Sequence, residues 1–454
     1  MLKTVLNRRN TLTLLLNRLN SYYFREMSTT LGDKFKLPEK YKGSETTVWA
    51  EFIALALEHK PLNLGQGFPD FAAPEFVTDA LAKCAKSDDP LVQQYSRGHG
   101  HLRLVKALSQ IYSSKIGREI NPLTEIITTA GAYEALYCAI LGHITDGDEV
   151  ILIEPFFDCY EPMVSAAGGK PVFIPLKPKK TSGTIMSSDW VLDPVELTRL
   201  FNAKTKAIVL NTPHNPLGKV FNLEELTLIA DLCKKWNVLC ISDEVYEWMV
   251  YEPYKHIRIA TLPDMWERTI TIGSAGKTFS VTGWKTGWAY GPSNLIHHLC
   301  VVHQNMLNSI NTPTQEAIAM GLEMEYARIN SPDCYFVSLA RELKDKRDYM
   351  GKFLKEVGMN PVIPEGGYFM MVDWTPIADK VGLNEETDEY KDYRFAKWMS
   401  KNKKIQGIPP SAFYSVPHKH LGENYIRYCF IKKEENLKKA EEILKGWVGS
   451  KSKI

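Results

Sequence analysis

The alternation of strand-length and helix-length segments from about Glu75 onward constrains this chain more than any other feature. Short apolar or β-branched runs recur at residues 125–128, 149–153, 171–175, 207–210, 238–242 and 269–273, while helix-length patterns occupy 75–86, 102–116 and 223–236. Strands that alternate with helices predict an α/β domain with a largely parallel sheet. Several of the strands also hand over to small or polar residues: Ala-Gly-Ala-Tyr after the first, Asn-Thr-Pro-His-Asn after the fourth, Asp-Glu-Val-Tyr after the fifth. In an open α/β sheet ligands bind at that carboxyl edge.

The sixth run leads into Gly-Ser-Ala-Gly-Lys-Thr-Phe-Ser-Val-Thr-Gly-Trp-Lys, which places Lys277 among small residues with Phe279, Val281 and Trp284 close behind. Two readings stand for it on sequence alone, an ordinary loop lysine and an amine whose pKa is lowered by desolvation so that it can act as a nucleophile. Asp243, at the end of an apolar strand, is either a helix N-cap or a partly desolvated carboxylate that needs a cation. Ser274, Gly131, Ala132 and Lys285 could together grip a phosphate through a hydroxyl, amides at a helix N-terminus and an ammonium. A reactive amine, an aspartate for a heterocyclic cation and a phosphate cradle match what pyridoxal phosphate requires.

The remaining chain narrows the classes. Its 454 residues carry 55 basic and 53 acidic side chains, a formal charge of +2, so no global field favours nucleic acid or an anionic membrane. The eight cysteines are dispersed, with no Cys-x-x-Cys pair, and read as buried free thiols in a reducing compartment; no structural metal is expected. No apolar run has the length of a membrane span. Lys3, Arg8, Arg9, Arg18 and Arg25 precede the first acid, Glu26, a composition that fits a mitochondrial transit peptide, with a disordered basic tail as the alternative and Met27 as a second possible start for a cytoplasmic form. After about Tyr326 a charged helix (336–357), the Gly-Gly-Tyr-Phe-Met-Met-Val-Asp segment, the run 425–430 and a last amphipathic helix (434–447) predict a smaller α+β domain. The expected division is therefore a leader (1–26), an N-terminal arm joining the small domain (27–74), a large domain (75–325) and the small domain (326–454), with residues 177–189 as a surface excursion.

The segments Asn-Leu-Gly-Gln-Gly-Phe-Pro-Asp, Asn-Thr-Pro-His-Asn-Pro-Leu-Gly, Ser-Asp-Glu-Val-Tyr, Ser-Ala-Gly-Lys-Thr-Phe-Ser-Val-Thr-Gly-Trp-Lys and Tyr-Ile-Arg-Tyr-Cys-Phe, in this order, closely resemble the kynurenine aminotransferase / cysteine-S-conjugate β-lyase family, over residues 39–447. The resemblance implies an aspartate-aminotransferase-like fold, pyridoxal 5'-phosphate as cofactor, a homodimer, and amine exchange between an amino acid and a 2-oxo acid. It implies that Lys277 binds the cofactor and moves the substrate proton. Asp243 would pair with the ring nitrogen, Tyr246 and Asn215 would bond the ring oxygen, and Phe157 would stack on the ring. Gly131, Ala132, Ser274 and Lys285 would hold the phosphate, with Tyr95 reaching in from a second subunit. Arg427 would clamp the substrate carboxylate beside Gly67 and Asn215, and Trp49 and Tyr133 would line a side-chain pocket suited to aromatic or sulfur-containing substrates. Pattern alone leaves Phe157 and Tyr246 equally readable as core, Tyr95 as a loop aromatic and Arg427 as a solvent-facing strand residue. Two stretches depart from the family, His99 and His101 in Gly-His-Gly-His, and residues 306–312. With Lys277, Asp243 and Arg427 all in place, a catalytically silent binding protein of the same fold is the alternative that the residues disfavour.

Overall fold

The computed structural model describes residues 35–180 and 182–449; the basic leader and Met27 lie outside the described residues. The chain divides into two compact units, Met1–Glu45 and Thr46–Ile454. In the first, the described part forms a single helical turn, Glu39–Tyr41, with an exposed Lys42–Glu39 ion pair of 2.9 Å.

The second unit is built on a seven-stranded sheet made of β1 (Ile126–Thr129), β2 (Glu149–Glu154), β3 (Lys170–Pro175), β4 (Thr205–Asn211), β5 (Leu239–Asp243), β6 (Thr269–Ser274) and β7 (Gly287–Tyr290). Their spatial order is β1-β7-β6-β5-β4-β2-β3, and only β7 runs antiparallel to its neighbours. The strands are apolar on both faces because helices cover both. Val150, Leu152, Ala207, Val209 and Ile241 belong to one buried layer, whereas Ile151, Ile153, Ile208, Leu210 and Cys240 belong to the other. All eight cysteines are buried and unpaired.

A second sheet gathers the C-terminal strands β8 (Asn360–Ile363), β9 (Phe369–Asp373) and β10 (Tyr425–Cys429). Its fourth strand is Ile185–Met186, from the polar stretch expected to be a surface excursion, which runs parallel to β8 with Val362 opposite Ile185. Ser187 fixes this crossover by donating to Gly218 O at 3.1 Å and accepting from Glu365 N at 3.1 Å. The helix Val48–His59 buries Val48 and Phe52 in the core of this second sheet, and Leu62–Asn63 pairs with Ile405–Gln406.

Thus β1, β2, β4, β5 and β6 all point their carboxyl ends to one edge of the large sheet, and β7 starts there. The residues that follow those ends face β9 and β10.

Candidate active site

One cavity of about 350 Å³ opens at that edge. Every residue nominated from the sequence lines it except Tyr95: Trp49, Gly67, Gly131, Ala132, Tyr133, Phe157, Asn215, Asp243, Tyr246, Ser274, Lys277, Lys285 and Arg427. Tyr95 lies on the surface, 89% exposed.

The floor comes from β5 and β6. Asp243 is the last residue of β5 and is 4% exposed, so it is no solvent-facing cap. One oxygen accepts from Tyr160 Oη at 2.6 Å and the other from Val245 N at 3.3 Å, and among the described residues no cation pairs with it. Burial raises its pKa to about 6, against the partial compensation of the Tyr160 hydrogen bond. Lys277 sits in the one-turn helix Ala275–Thr278 that continues β6, half-buried because its amine opens on the cavity. Burial lowers its pKa to about 8, with Arg427 and Lys285 adding to the shift, so a neutral amine is within reach near physiological pH. The reading of Lys277 as a desolvated amine is the one the structure supports.

One end of the cavity is made for an anion. Gly131 (φ 78°) caps the helix Ala132–Leu141; the Glu134 and Ala135 amides donate to Gly131 O, and the first two amides, of Ala132 and Tyr133, have no carbonyl of their own helix to bond. Lys285, itself in the left-handed region (φ 53°), brings its ammonium beside Gly131: a Cβ added there would stand 3.5 Å from Lys285 Nζ. Ser274 completes this end from β6. The approach depends on Gly287 at the start of β7, where a Cβ would lie 2.5 Å from Ala132 N.

Arg427 occupies the other end. It is fully buried in β10, donates from Nη1 to Asn215 Oδ1 at 3.0 Å and from Nη2 to Gly65 O at 2.9 Å, and leaves Nε without a partner. The guanidinium lies 4.0 Å from the Phe369 ring centroid and is flanked by Phe413 at 4.9 Å and Trp49 at 5.2 Å. No carboxylate pairs with it among the described residues, and burial lowers its pKa to about 10, so it still carries its charge at neutral pH. A buried guanidinium with a free N–H is a receptor for a carboxylate, which can take two parallel hydrogen bonds from it. Gly67 must lack a side chain, because a Cβ would stand 2.3 Å from Phe369.

Several residues of the site escaped the sequence reading. Tyr160 bonds Asp243, Tyr368 Oη takes a 2.7 Å hydrogen bond from Lys277 Nζ, and Asp158 fixes Trp49 through a 2.7 Å bond from the indole N–H. Burial pushes Asp158 up to about 6. Asp158 shares a loop with Phe157, and Tyr160 opens the helix Tyr160–Ala166 just beyond it; that proximity was the only signal for them. His99 and His101 keep clear of the cavity: His99 Nδ1 meets Cys300 Sγ at 3.3 Å and His101 Nδ1 lies 3.2 Å from Glu316.

Comparison with known proteins gives the family. Residues 59–444 match the family described as Aminotransferase class I and II. Kynurenine–oxoglutarate transaminase 3 of Homo sapiens is 52% identical over 94% of this chain and 93% of its own length. Among solved structures, Bna3p of Saccharomyces cerevisiae superposes with a TM-score of 0.85 at 33% identity, covering 91% of this chain and 99% of that one. Thermus thermophilus aspartate aminotransferase does so at 0.77 and 27%, with 91% and 99% covered. A family match that runs from residue 59 to 444, with a relative 52% identical over nearly the whole chain and solved aminotransferases that share the fold, places this chain in the class I and II aminotransferase family.

Proposed function

We propose that the protein is a pyridoxal-phosphate-dependent aminotransferase that takes the amine of kynurenine, and of other aromatic, sulfur-containing or glutamine-like amino acids, and passes it to a 2-oxo acid. The observation that carries this reading is that Lys277, Asp243 and Arg427 open on one cavity and none has an ion-pair partner among the described residues. The residues fit the cofactor. Asp243, a buried carboxyl short of a cation, suits the ring nitrogen. Tyr246 and Asn215 suit the ring oxygen, Phe157 the ring face, and the Ala132 amide with Ser274 and Lys285 the phosphate, next to Gly131, whose own amide donates to Thr129 O at 2.7 Å in this structure. When bound, the cofactor supplies an aldehyde for amines and a sink for the electron pair left at the substrate Cα.

The chain's own part is to position substrate and to move one proton. Arg427 and Asn215 hold the α-carboxylate, and Gly67 lets the substrate approach the backbone. Trp49 and Tyr133 form an apolar wall that suits an aromatic side chain better than a second carboxylate. Lys277 Nζ, half of it neutral at its pKa of about 8, would take the proton from the substrate Cα and carry it across the substrate nitrogen to the carbon on that nitrogen's far side. A substrate with a leaving group on Cβ would eliminate it from the same arrangement, and a β-lyase side activity belongs to the same proposal.

Three further features complete the proposal. The division into a large domain (75–325) and a small domain (326–454) serves to enclose the substrate. A second copy brings Tyr95 to the phosphate. In support, Leu91, Tyr95, Met306 and Leu307 are exposed, and the segment 306–312 lies against the Tyr95 loop through a 2.6 Å bond from Thr312 Oγ1 to Gln94 O. The basic, acid-free leader directs the chain to the mitochondrial matrix, with Met27 as the start of a cytoplasmic form. The test of the activity is to incubate purified protein and pyridoxal phosphate with kynurenine and 2-oxoglutarate, pyruvate or glyoxylate. Kynurenic acid is the expected product, and absence of transfer from any amino donor in a donor-by-acceptor panel would overturn the reading.

A further inference from the structure

Residues 65–68 border the substrate end of the cavity, and each of their four carbonyls is taken by a side chain. Gly65 O accepts from Arg427 Nη2 at 2.9 Å, Gln66 O from Lys432 Nζ at 3.2 Å, Gly67 O from Tyr368 Oη at 2.8 Å and Phe68 O from Lys432 Nζ at 2.9 Å. Only Tyr368 also reaches a reacting atom, for its oxygen stands 2.7 Å from Lys277 Nζ. A phenol has one proton, and here Gly67 O receives it, so toward Lys277 the oxygen can only accept.

Tyr368 has little freedom to do anything else. It is 1% exposed, its ring packs edge-on to Tyr246 at 5.0 Å and to Phe369 at 4.8 Å, and its carbonyl accepts from Phe430 N at 3.0 Å next to the β9–β10 ladder. Burial raises its own pKa well above the ordinary value, so it stays neutral through the working range.

We propose that Tyr368 is a further catalytic residue, whose hydroxyl is the fixed acceptor for the Lys277 amine whenever that amine is free of the cofactor, leaving the nitrogen lone pair to face the cavity. This rests on the aminotransferase reading given above. Between the two halves of the reaction the freed amine then has a defined place, coupled through one oxygen to the Gly67 peptide that the substrate approaches. A purely structural tyrosine would hold the 65–68 segment and nothing more.

Tyr368→Phe removes the oxygen and keeps the ring. In the cofactor-loaded enzyme kcat is expected to fall about tenfold, the scale of one lost hydrogen bond, with KM for donor and acceptor within about twofold of the parent. In the full chain prepared without cofactor, brief acetic anhydride labelling read at the Lys277 peptide gives the pH at which the amine is half reactive. Because an accepted N–H favours the ammonium form, that pH is expected to drop by about half a unit or more in Y368F. A raised KM with unchanged kcat and an unchanged labelling pH would overturn the proposal and leave a structural role. If Y368F does not fold, Tyr368→Met, flexible enough to fill the space, carries the same titration and the same two outcomes. Absence of transaminase activity in the parent chain marks instead a failure of the reading on which the proposal rests.

Discussion

Asp243 shows how one position joins folding to function. Without a cofactor its carboxyl is buried with a pKa of about 6, above the ordinary 3.8, so the neutral form is the one that folding favours. The stability this contributes is full below about pH 4 and is lost as the pH rises through 6, up to about 3 kcal/mol for a shift of this size. Cofactor-free Asp243→Asn is therefore expected to melt above the parent at pH 7 and level with it below pH 4, by thermal unfolding across pH. Its transamination should fall by about 100-fold or more, because the ring nitrogen loses its charged partner. Arg427→Lys keeps the charge but loses the planar fork, and steady-state kinetics should show KM for the amino donor rising by roughly tenfold or more, with a smaller change in kcat. At this scale the sequence was informative where a polar residue closes an apolar strand, as at Asp243, or stands among small residues just beyond one, as at Lys277. It was silent on Tyr160, Asp158 and Tyr368, because a tyrosine or aspartate inside an aromatic run reads as core or loop until the fold shows which atom it meets.

The elements set the cradle, and glycines set how closely elements approach. Gly287 lets β7 pass against the N-terminus of the helix Ala132–Leu141, where a Cβ would lie 2.5 Å from Ala132 N and 2.5 Å from the carbonyl carbon of Gly131. Both contacts are backbone, which cannot turn aside as a side chain can. Gly287→Ala should push the helix end away from Ser274 and Lys285, weaken cofactor binding at least about tenfold in a fluorescence titration, and cost about 1–3 kcal/mol of stability in the cofactor-free chain. Amphipathic helices were legible from their period: the pattern at 223–236 becomes the helix Leu223–Trp236, capped by Asn222 and Glu225. The helix Thr312–Ala327 was not, since it buries Thr312, Gln315, Ala317, Ile318, Ala319, Gly321, Leu322 and Glu325 and so carries no single apolar stripe. Ile185–Met186 was missed for another reason, as two residues have no period at all.

For the whole molecule, the division of labour lies between the two sheets. The large one delivers Lys277, Asp243, Asn215 and the anion cradle from its strand ends, and the smaller one delivers Tyr368, Phe369 and Arg427. Residues remote in sequence thus converge, which is why the motifs had to be taken together before any of them pointed to a reaction. Tyr95, exposed like Leu91, Met306 and Leu307, predicts a dimer in solution by sedimentation equilibrium. Tyr95→Phe should leave the mass unchanged and weaken cofactor retention on dialysis, whereas a fully active monomer would contradict the partner role. The central claim is that Lys277 is the amine that holds the cofactor. Loading the purified protein with pyridoxal phosphate, reducing it with borohydride and mapping the peptides by mass spectrometry tests this most directly. The expected result is one pyridoxyl-phosphate adduct, on Lys277, with loss of transamination in the reduced protein and in Lys277→Ala. An adduct on another lysine, with transamination retained in Lys277→Ala, would contradict it.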